Sequence, residues 1–203
     1  MTAEQIVRAV NQEYEILQNP FELHEALRFL LTRNIHNVLE IGVYGGGSFA
    51  CWHMLAQAGK CIFVDHPKVA EEIQSERARK LQRYSDVYPI IADSHLPETV
   101  GKVEKILNGE LLDFLFIDGD HTYEACKQDY QLYKHLVNPN KGVIGFHDIN
   151  QSEQTKEYGA DAYRFWNEVT GNKITISAGM GWCGIGLLIL DPSPPITWIL
   201  KAQ

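Results

Sequence analysis

Five short apolar runs that alternate with amphipathic stretches restrict this chain more than any other feature. The runs are Asn37 to Ile41, Cys61 to Asp65, Val87 to Ala92, Leu112 to Ile117 and Val143 to His147. Between them lie amphipathic segments over Ser48 to Gln57, Lys68 to Tyr84, Glu98 to Leu107 and Tyr123 to Val137. Runs apolar on both faces suit strands covered by helices on two sides, and the alternation predicts a parallel sheet built by helical crossovers. Ahead of it, helices are expected over Ala3 to Leu17 and Phe21 to Arg33, separated at Pro20. Behind it the repeat changes. A helix near Ala160 to Thr170 precedes two more strands, Lys173 to Ala178 and Gly184 to Leu190, and their short glycine-rich link suits a hairpin. The expected fold is α/β: an open, mostly parallel seven-stranded sheet with helices on both faces and a terminal antiparallel strand pair.

A chain of 203 residues holds one sizeable core, so a single domain is expected over 1–203. Within it, 1–33 are N-terminal helices, 34–190 the core and 191–203 a tail, in which Pro192, Pro194 and Pro195 lead to a short docking segment, Ile196 to Leu200. The net charge of -8 repels phosphate backbones and anionic lipid, which argues against nucleic-acid and membrane partners. The one basic stretch, Arg77 to Lys80 with Arg83, follows Glu71, Glu72 and Glu76 at helical spacing and reads as a solvated, ion-paired face. No run approaches the ~18 apolar residues of a membrane span. Cys51, Cys61, Cys126 and Cys183 form no CxxC pair, and Met1 to Gln5 is not a basic region leading into an apolar run, so a reducing cytoplasm is expected.

Ligands of open α/β sheets sit outside the carboxyl ends of the strands, near the point where strand order reverses. Read in order, those ends carry Glu40, Asp65, Asp93, Asp118 and the pair His147 and Asp148. The first is followed by Gly42, Gly45, Gly46, Gly47 and Ser48, a glycine turn between a strand and a helix, where backbone can approach a ligand closely. A pyrophosphate wants bare amides at a helix N-terminus. A carboxylate at Glu40 suits a cationic ammonium or sulfonium instead, which argues against a nicotinamide dinucleotide. Asp65, about 20 residues beyond the turn, is placed to accept hydrogen bonds from ribose hydroxyls. Asp93 and Ser94 are candidates for an adenine amino group.

At the other side of the sheet, Asp118 ends the fourth strand and His147 and Asp148 end the fifth. If these strands are neighbours, two carboxylates and an imidazole converge and leave positions open for substrate and water on a divalent cation. Imidazole is softer than magnesium prefers, so Mg²⁺, Mn²⁺, Fe²⁺ or a metal-free His147 base all stay open. His121 is the first candidate general base, with Asp118 and His147 as alternatives. It also has a structural reading as a cap of the helix that follows, with Asp120 as N-cap. His53, His66, His95 and His135 show no partners in sequence, and Trp52, Trp166, Trp182, Tyr44 and Tyr158 are candidates for an acceptor pocket or for the core. The polar stretch Asn150 to Gly159 stands where a lid would be placed.

Glu40-x-Gly42 with Gly45, Gly47 and Ser48, then Asp65, Ala92-Asp93-Ser94, Asp118-Gly119-Asp120-His121 and His147-Asp148 together resemble class I S-adenosylmethionine-dependent methyltransferases. The small branch of macrocin O-methyltransferase-like and cephalosporin hydroxylase-like proteins is the most similar, over roughly residues 34–190. The resemblance implies a Rossmann-like sheet and S-adenosylmethionine bound by Glu40, Gly42, Gly45, Gly47, Ser48, Asp65, Asp93, Ser94 and Asp118. It also implies a divalent metal on Asp118, His147 and Asp148, although the family more often has two carboxylates, or a carboxylate and an amide, where this chain has His147-Asp148. The expected activity is methyl transfer to a hydroxyl of a small molecule, with His121 and Asp118 acting in the chemistry and a homo-oligomer as one way to cover the acceptor. A donor-binding protein without transferase activity is the alternative.

Overall fold

The computed structural model describes residues 1–56, 59–69, 73, 76, 80–81, 84, 86–179, 181–191 and 197–201. Its sheet contains β1 (Val38–Ile41), β2 (Cys61–Asp65), β3 (Val87–Ile91), β4 (Phe114–Ile117), β5 (Val143–His147), β6 (Asn172–Ser177), β7 (Ile185–Ile189) and β8 (Thr197–Lys201). The spatial order is β3-β2-β1-β4-β5-β7-β6-β8. β1 to β5 are parallel, and β7 runs antiparallel to both β5 and β6. The expected architecture stands with one correction: the sheet has eight strands, because the tail segment read as a docking piece pairs in parallel with β6, from Thr197 opposite Lys173 to Lys201 opposite Ser177. Pairing with β6 is a tertiary contact that an apolar run as short as Trp198 to Leu200 does not reveal by itself.

Helices α1 (Ala3–Val10), α2 (Pro20–Leu30) and α3 (Gly47–Leu55) pack on one face of the sheet. Helices α4 (Pro97–Leu107), α5 (Tyr123–Tyr133) and α7 (Tyr163–Glu168) pack on the other, and a short α6 (Glu153–Glu157) lies in the stretch considered as a lid. Successive strand residues serve opposite layers, as a pleated strand requires. Val38 joins Ile6, Leu23 and Trp52, whereas Leu39 joins Val103, Tyr133 and Trp166. Trp52 meets the edge of Phe114 at 5.1 Å, an arrangement that adds about 0.5–1.5 kcal/mol to plain burial. The helix expected over Lys68 to Tyr84, with most of its basic stretch, lies outside the described residues; Lys80 does reach Glu76 at 2.6 Å, one turn away.

Both N-terminal helices have encoded starts. Thr2 and Gln5 form a capping box on α1, while Asn19 accepts the Phe21 and Glu22 amides and Pro20 occupies the first turn of α2. α1 stops at Val10 rather than Leu17, because Asn11, Gln12 and Glu13 interrupt the apolar face and Tyr14 folds back onto the Val10 carbonyl. Residues 15–18 are thereby released to reach the cavity over the sheet.

Candidate functional site

Strand order reverses between β1 and β4, each of which begins a separate half of the sheet. Above that point opens a cavity of about 970 Å³, at the upper end of the range for small-molecule sites. Its wall combines the glycine turn after β1 with the residues that end β2, β3, β4 and β5. The N-terminal segment adds Glu15, Leu17 and Gln18, and the region beyond β5 adds Gln154, Thr155, Tyr158 and Cys183.

The turn is shaped by close backbone approach. Gly42 has φ +80°, and a Cβ there would lie 2.2 Å from the Asp118 carbonyl oxygen. A Cβ on Gly47 would lie 2.1 Å from the Glu15 carbonyl. Only glycine lets β1, the β4 loop and the N-terminal segment meet this way. Glu40 is placed differently from the sequence expectation. It is 0% exposed and absent from the cavity wall, and its Oε1 accepts a 2.6 Å hydrogen bond from the Ser48 hydroxyl. Its other oxygen is buried without a hydrogen bond, and burial pushes the carboxyl well above the usual range against the opposing Ser48 bond. Glu40 therefore ties β1 to the start of α3 from behind the wall instead of facing a ligand as a counter-charge.

Gly42, Gly45, Gly47, Ser48, Asp65, Asp93, Ser94 and Asp118 do line the cavity. Asp65 accepts the His66 amide at 2.9 Å, and Asp93 accepts the His95 amide at 2.9 Å. The Ser94 carbonyl accepts the Tyr133 hydroxyl at 2.8 Å, which anchors this loop to α5.

The second group forms because β4 and β5 are hydrogen-bonded neighbours, with Ile117 opposite Phe146. Asp118, His147 and Asp148 then stand side by side, and their candidate ligand atoms lie within 4.8 Å of one another. His147 Nδ1 is 3.1 Å from Asp118 Oδ1 and 3.3 Å from Asp148 Oδ1, yet it is buried and aligned for a hydrogen bond with neither. A buried nitrogen between two carboxylate oxygens is a donor set that could hold a divalent cation and, without one, forms an ion-paired cluster. Asp148 also has φ +55°, a left-handed backbone uncommon outside glycine, which aims its carboxylate back at His147.

His121 Nδ1 lies 2.6 Å from Asp148 Oδ2 and 3.9 Å from Asp118 Oδ1, with the side chain half exposed. It is not a helix cap. Thr122 caps α5 by accepting the Ala125 amide, Asp120 accepts the Thr122 amide, and Asp161 accepts the Tyr123 amide. The Asp148 carboxylate raises the His121 pKa against an opposing burial effect. Burial alone would lower His147, but Asp118 and Asp148 outweigh it and hold the imidazole well above its ordinary value. Burial likewise works to raise Asp148, and the two histidines overcome it and depress the carboxyl strongly.

Several participants lie beyond the sequence reading. Gln18 donates a 2.9 Å hydrogen bond to Asp118 Oδ2; it lies just past the Leu17 end expected for the first helix, where no motif marks it. Glu22, 0% exposed, accepts the amides of Ala178 at 2.8 Å and Gly184 at 3.1 Å, fixing the β6–β7 link that carries Cys183. The four histidines without evident partners all have them. His53 meets Asp86 at 3.1 Å, His95 meets Asp129 at 3.3 Å, His135 meets Glu104 at 3.2 Å, and His66 Nδ1 accepts the Lys68 amide at 3.1 Å. These partners are distant in sequence or in the backbone, so pattern could not supply them. Trp52 and Trp166 are core residues, whereas Tyr44 and Tyr158 are exposed on the cavity wall and Trp182 is exposed near Cys183.

A family model described as a methyltransferase domain matches residues 39–149, more than half of the chain. An uncharacterized protein of Acanthamoeba polyphaga mimivirus is 27% identical over 156 residues, which cover 66% of this chain and 64% of that protein's length. Among solved structures, the Bacillus cereus O-methyltransferase in complex with SAH is similar at a TM-score of 0.64 and 14% identity, over 93% of this chain and 90% of that one. A putative caffeoyl-CoA O-methyltransferase from Staphylococcus aureus reaches 0.65 at 16% identity, over 94% and 92%. The match to the family model spans both the glycine turn and the Asp118, His147 and Asp148 cluster, and the chain accordingly belongs to this methyltransferase-domain family.

Proposed function

We propose that the protein transfers a methyl group from S-adenosylmethionine to a hydroxyl of a small molecule, with a divalent cation at Asp118, His147 and Asp148. The observation that carries this reading is that one cavity at the switch point contains both the acidic strand ends and the three-donor cluster. The similar structure from Bacillus cereus, bound to SAH, supports the same donor.

Asp65 would take the ribose hydroxyls and Asp93 with Ser94 the adenine end, while the glycine turn admits the donor's backbone-hugging middle. This order runs the methionine end toward Asp118. Since the sulfonium is already activated, catalysis here is alignment of donor and acceptor plus supply of a deprotonated oxygen. A divalent cation, when bound, lowers the pKa of a hydroxyl. His121 stands at the open side of the cluster, where it can receive the hydroxyl proton at a ring nitrogen while Asp148 steadies the resulting imidazolium. Gln18 fixes one oxygen of Asp118, so the other stays toward His147. Tyr44, Leu17 and Tyr158 form an apolar rim around the acceptor end.

Calorimetry with S-adenosylhomocysteine and with NAD tests the donor: binding of the former and not of the latter is expected, and no binding of S-adenosylhomocysteine at millimolar concentration would overturn the reading. Asp148→Ala should abolish divalent-ion dependence of methyl transfer. Full activity of the wild type in EDTA would remove the metal from the proposal while leaving the donor in place.

A further inference from the structure

A buried carboxylate stands behind the adenine end of the cavity with nothing but an imidazole to answer it. Asp129, on the inner face of α5, is 1% exposed, and neither of its oxygens makes a hydrogen bond among the described residues. His95 Nε2 lies 3.3 Å from Asp129 Oδ1, within ion-pair distance though off the hydrogen-bond line. The same His95 lines the cavity, keeps its Nδ1 3.8 Å from Asp93 Oδ1, and donates its backbone N–H to that oxygen at 2.9 Å. A carboxylate left alone at this depth is heavily penalised, so its place in the helix requires a cation beside it.

We propose that Asp129 and His95 act as a positioning pair that holds Asp93 in the orientation needed by the nucleobase end of the donor. Charge runs inward from the wall as Asp93, His95 and Asp129. His95, anchored from behind, fixes Asp93 Oδ1 and leaves the second oxygen for a ligand's amino group. The role assigns His95 to donor affinity and not to the transfer step, because Asp118, His121 and Asp148 form their own set of contacts. The groups that act on His95 are Asp93 on its own loop and Asp129 on α5; the Cys126 thiol and the Tyr133 phenol, also on α5, feel the Asp129 charge but are held neutral by burial, which raises their pKa values. The Asp129 carboxylate raises His95, with burial opposing and Asp93 adding to the rise. The imidazolium is thus present below its raised pKa and is lost as pH rises through it.

The inference rests on the donor reading above, and the two fail differently. S-Adenosylhomocysteine is titrated calorimetrically into wild type, His95→Gln and Asp129→Asn across pH 6 to 9, about the range in which an imidazole near a carboxylate titrates. His95→Gln leaves Asp129 without its cation, so its fold is checked by thermal melting, and the double variant His95→Gln/Asp129→Asn, which removes the buried charge with its partner, is titrated alongside. His95→Gln is expected to bind ~10-fold more weakly at neutral pH, about 1.4 kcal/mol, and to lose the pH dependence of affinity. At saturating donor its kcat should match wild type, so the defect appears in KM. Asp129→Asn should move the fall in affinity to lower pH. If wild type binds no S-adenosylhomocysteine, the donor reading fails. If wild type binds and His95→Gln binds equally well at every pH, or loses kcat with KM unchanged, the positioning role is overturned; should Asp129→Asn not fold, His95→Gln alone decides.

Discussion

Replacing Gly42 by alanine should damage the site through the backbone alone, and the structure gives the size of the effect. The residue has φ +80°, so alanine would adopt a left-handed conformation at a cost of about 1–2 kcal/mol. Its Cβ would also fall 2.2 Å from the Asp118 carbonyl oxygen and 2.4 Å from the Gly119 Cα. These are backbone atoms of the loop that presents Asp118, so no side-chain rotamer can relieve the clash, and forced displacement adds about 1–3 kcal/mol. The sum, about 2–5 kcal/mol, corresponds to a fall in Tm of roughly 4–20 °C at ~2–4 °C per kcal/mol for a chain of this size. Gly45→Ala is the internal control. It has no positive φ and a Cβ would meet nothing within 4 Å, so stability should change by no more than about 0.5 kcal/mol. Gly45 faces the cavity, however, so the same methyl should weaken S-adenosylhomocysteine binding by roughly 5- to 150-fold, the equivalent of ~1–3 kcal/mol of crowding. Thermal unfolding with calorimetric titration measures both. A Gly42→Ala protein melting within about 2 °C of wild type, less than the smallest shift worked out above, would refute the reasoning. So would a Gly45→Ala protein destabilised to the same extent.

Glu22→Ala strands the part-buried Ala178 amide and the buried Gly184 amide and should cost about 2–6 kcal/mol in urea unfolding, at ~1–3 kcal/mol for each unpaired group. Burial raises the Glu22 pKa above 4.5 against the lowering by the Ala178 amide, so its folded form retains a proton that the unfolded chain releases. Stability therefore falls as pH rises from 4.5 through the folded-state value, and Glu22→Gln should lose that part of the slope; parallel slopes in the two proteins would refute the assignment. Gln18→Ala removes one hydrogen bond from Asp118 and should cost about 1 kcal/mol of stability together with a larger fall in kcat than in donor affinity. Deleting residues 1–18 should prevent folding, since Ile6, Val10 and Tyr14 are buried and each contributes about 1.5–3 kcal/mol, a sum that rivals the whole stability of a typical domain. A cooperative melt of the truncated chain at the wild-type temperature would contradict this.

The strands along the chain and the residues that end them were legible because they are local: an apolar run followed by an acidic residue and a glycine or polar turn says strand, then loop, then helix. Asp65, Asp93, Asp118 and Asp148 reach the cavity for that reason. Glu40 was located correctly along the chain but assigned to the wrong side of the wall, because pleat direction near a turn depends on the close approach of Gly42 to Asp118, a contact between segments 76 residues apart. The Asp129 and His95 pair was illegible for the same kind of reason: Asp129 sits at a polar-looking helix position that only the packed structure shows to face inward. Strand β8 and the early end of α1 were hidden by weak signals at the periphery, where tertiary pairing decides the outcome.

Four of the acidic strand ends, Glu40 excepted, share a further regularity, since each has a histidine within three residues: Asp65 with His66, Asp93 with His95, Asp118 with His121, and Asp148 with His147. The packed structure divides these four into two kinds. At the donor end His66 accepts the Lys68 amide and His95 faces Asp129 on α5. At the chemical end the partners are exchanged across neighbouring strands: His121 beside β4 reaches Asp148 beyond β5, and His147 on β5 reaches Asp118 beyond β4. Exchange makes the second set a single electrostatic unit, in which removing one carboxylate also changes the proton affinity of the histidine facing it. Substitutions at Asp65 and Asp93 should therefore add in their effects on donor affinity, whereas Asp118→Asn and Asp148→Asn together should cost less activity than the sum of the two, in free-energy terms, because either one already breaks the unit. Strict additivity at the second pair would mean that the reciprocal contacts carry no coupling, and that Asp118 and Asp148 act as independent neighbours on adjacent strands.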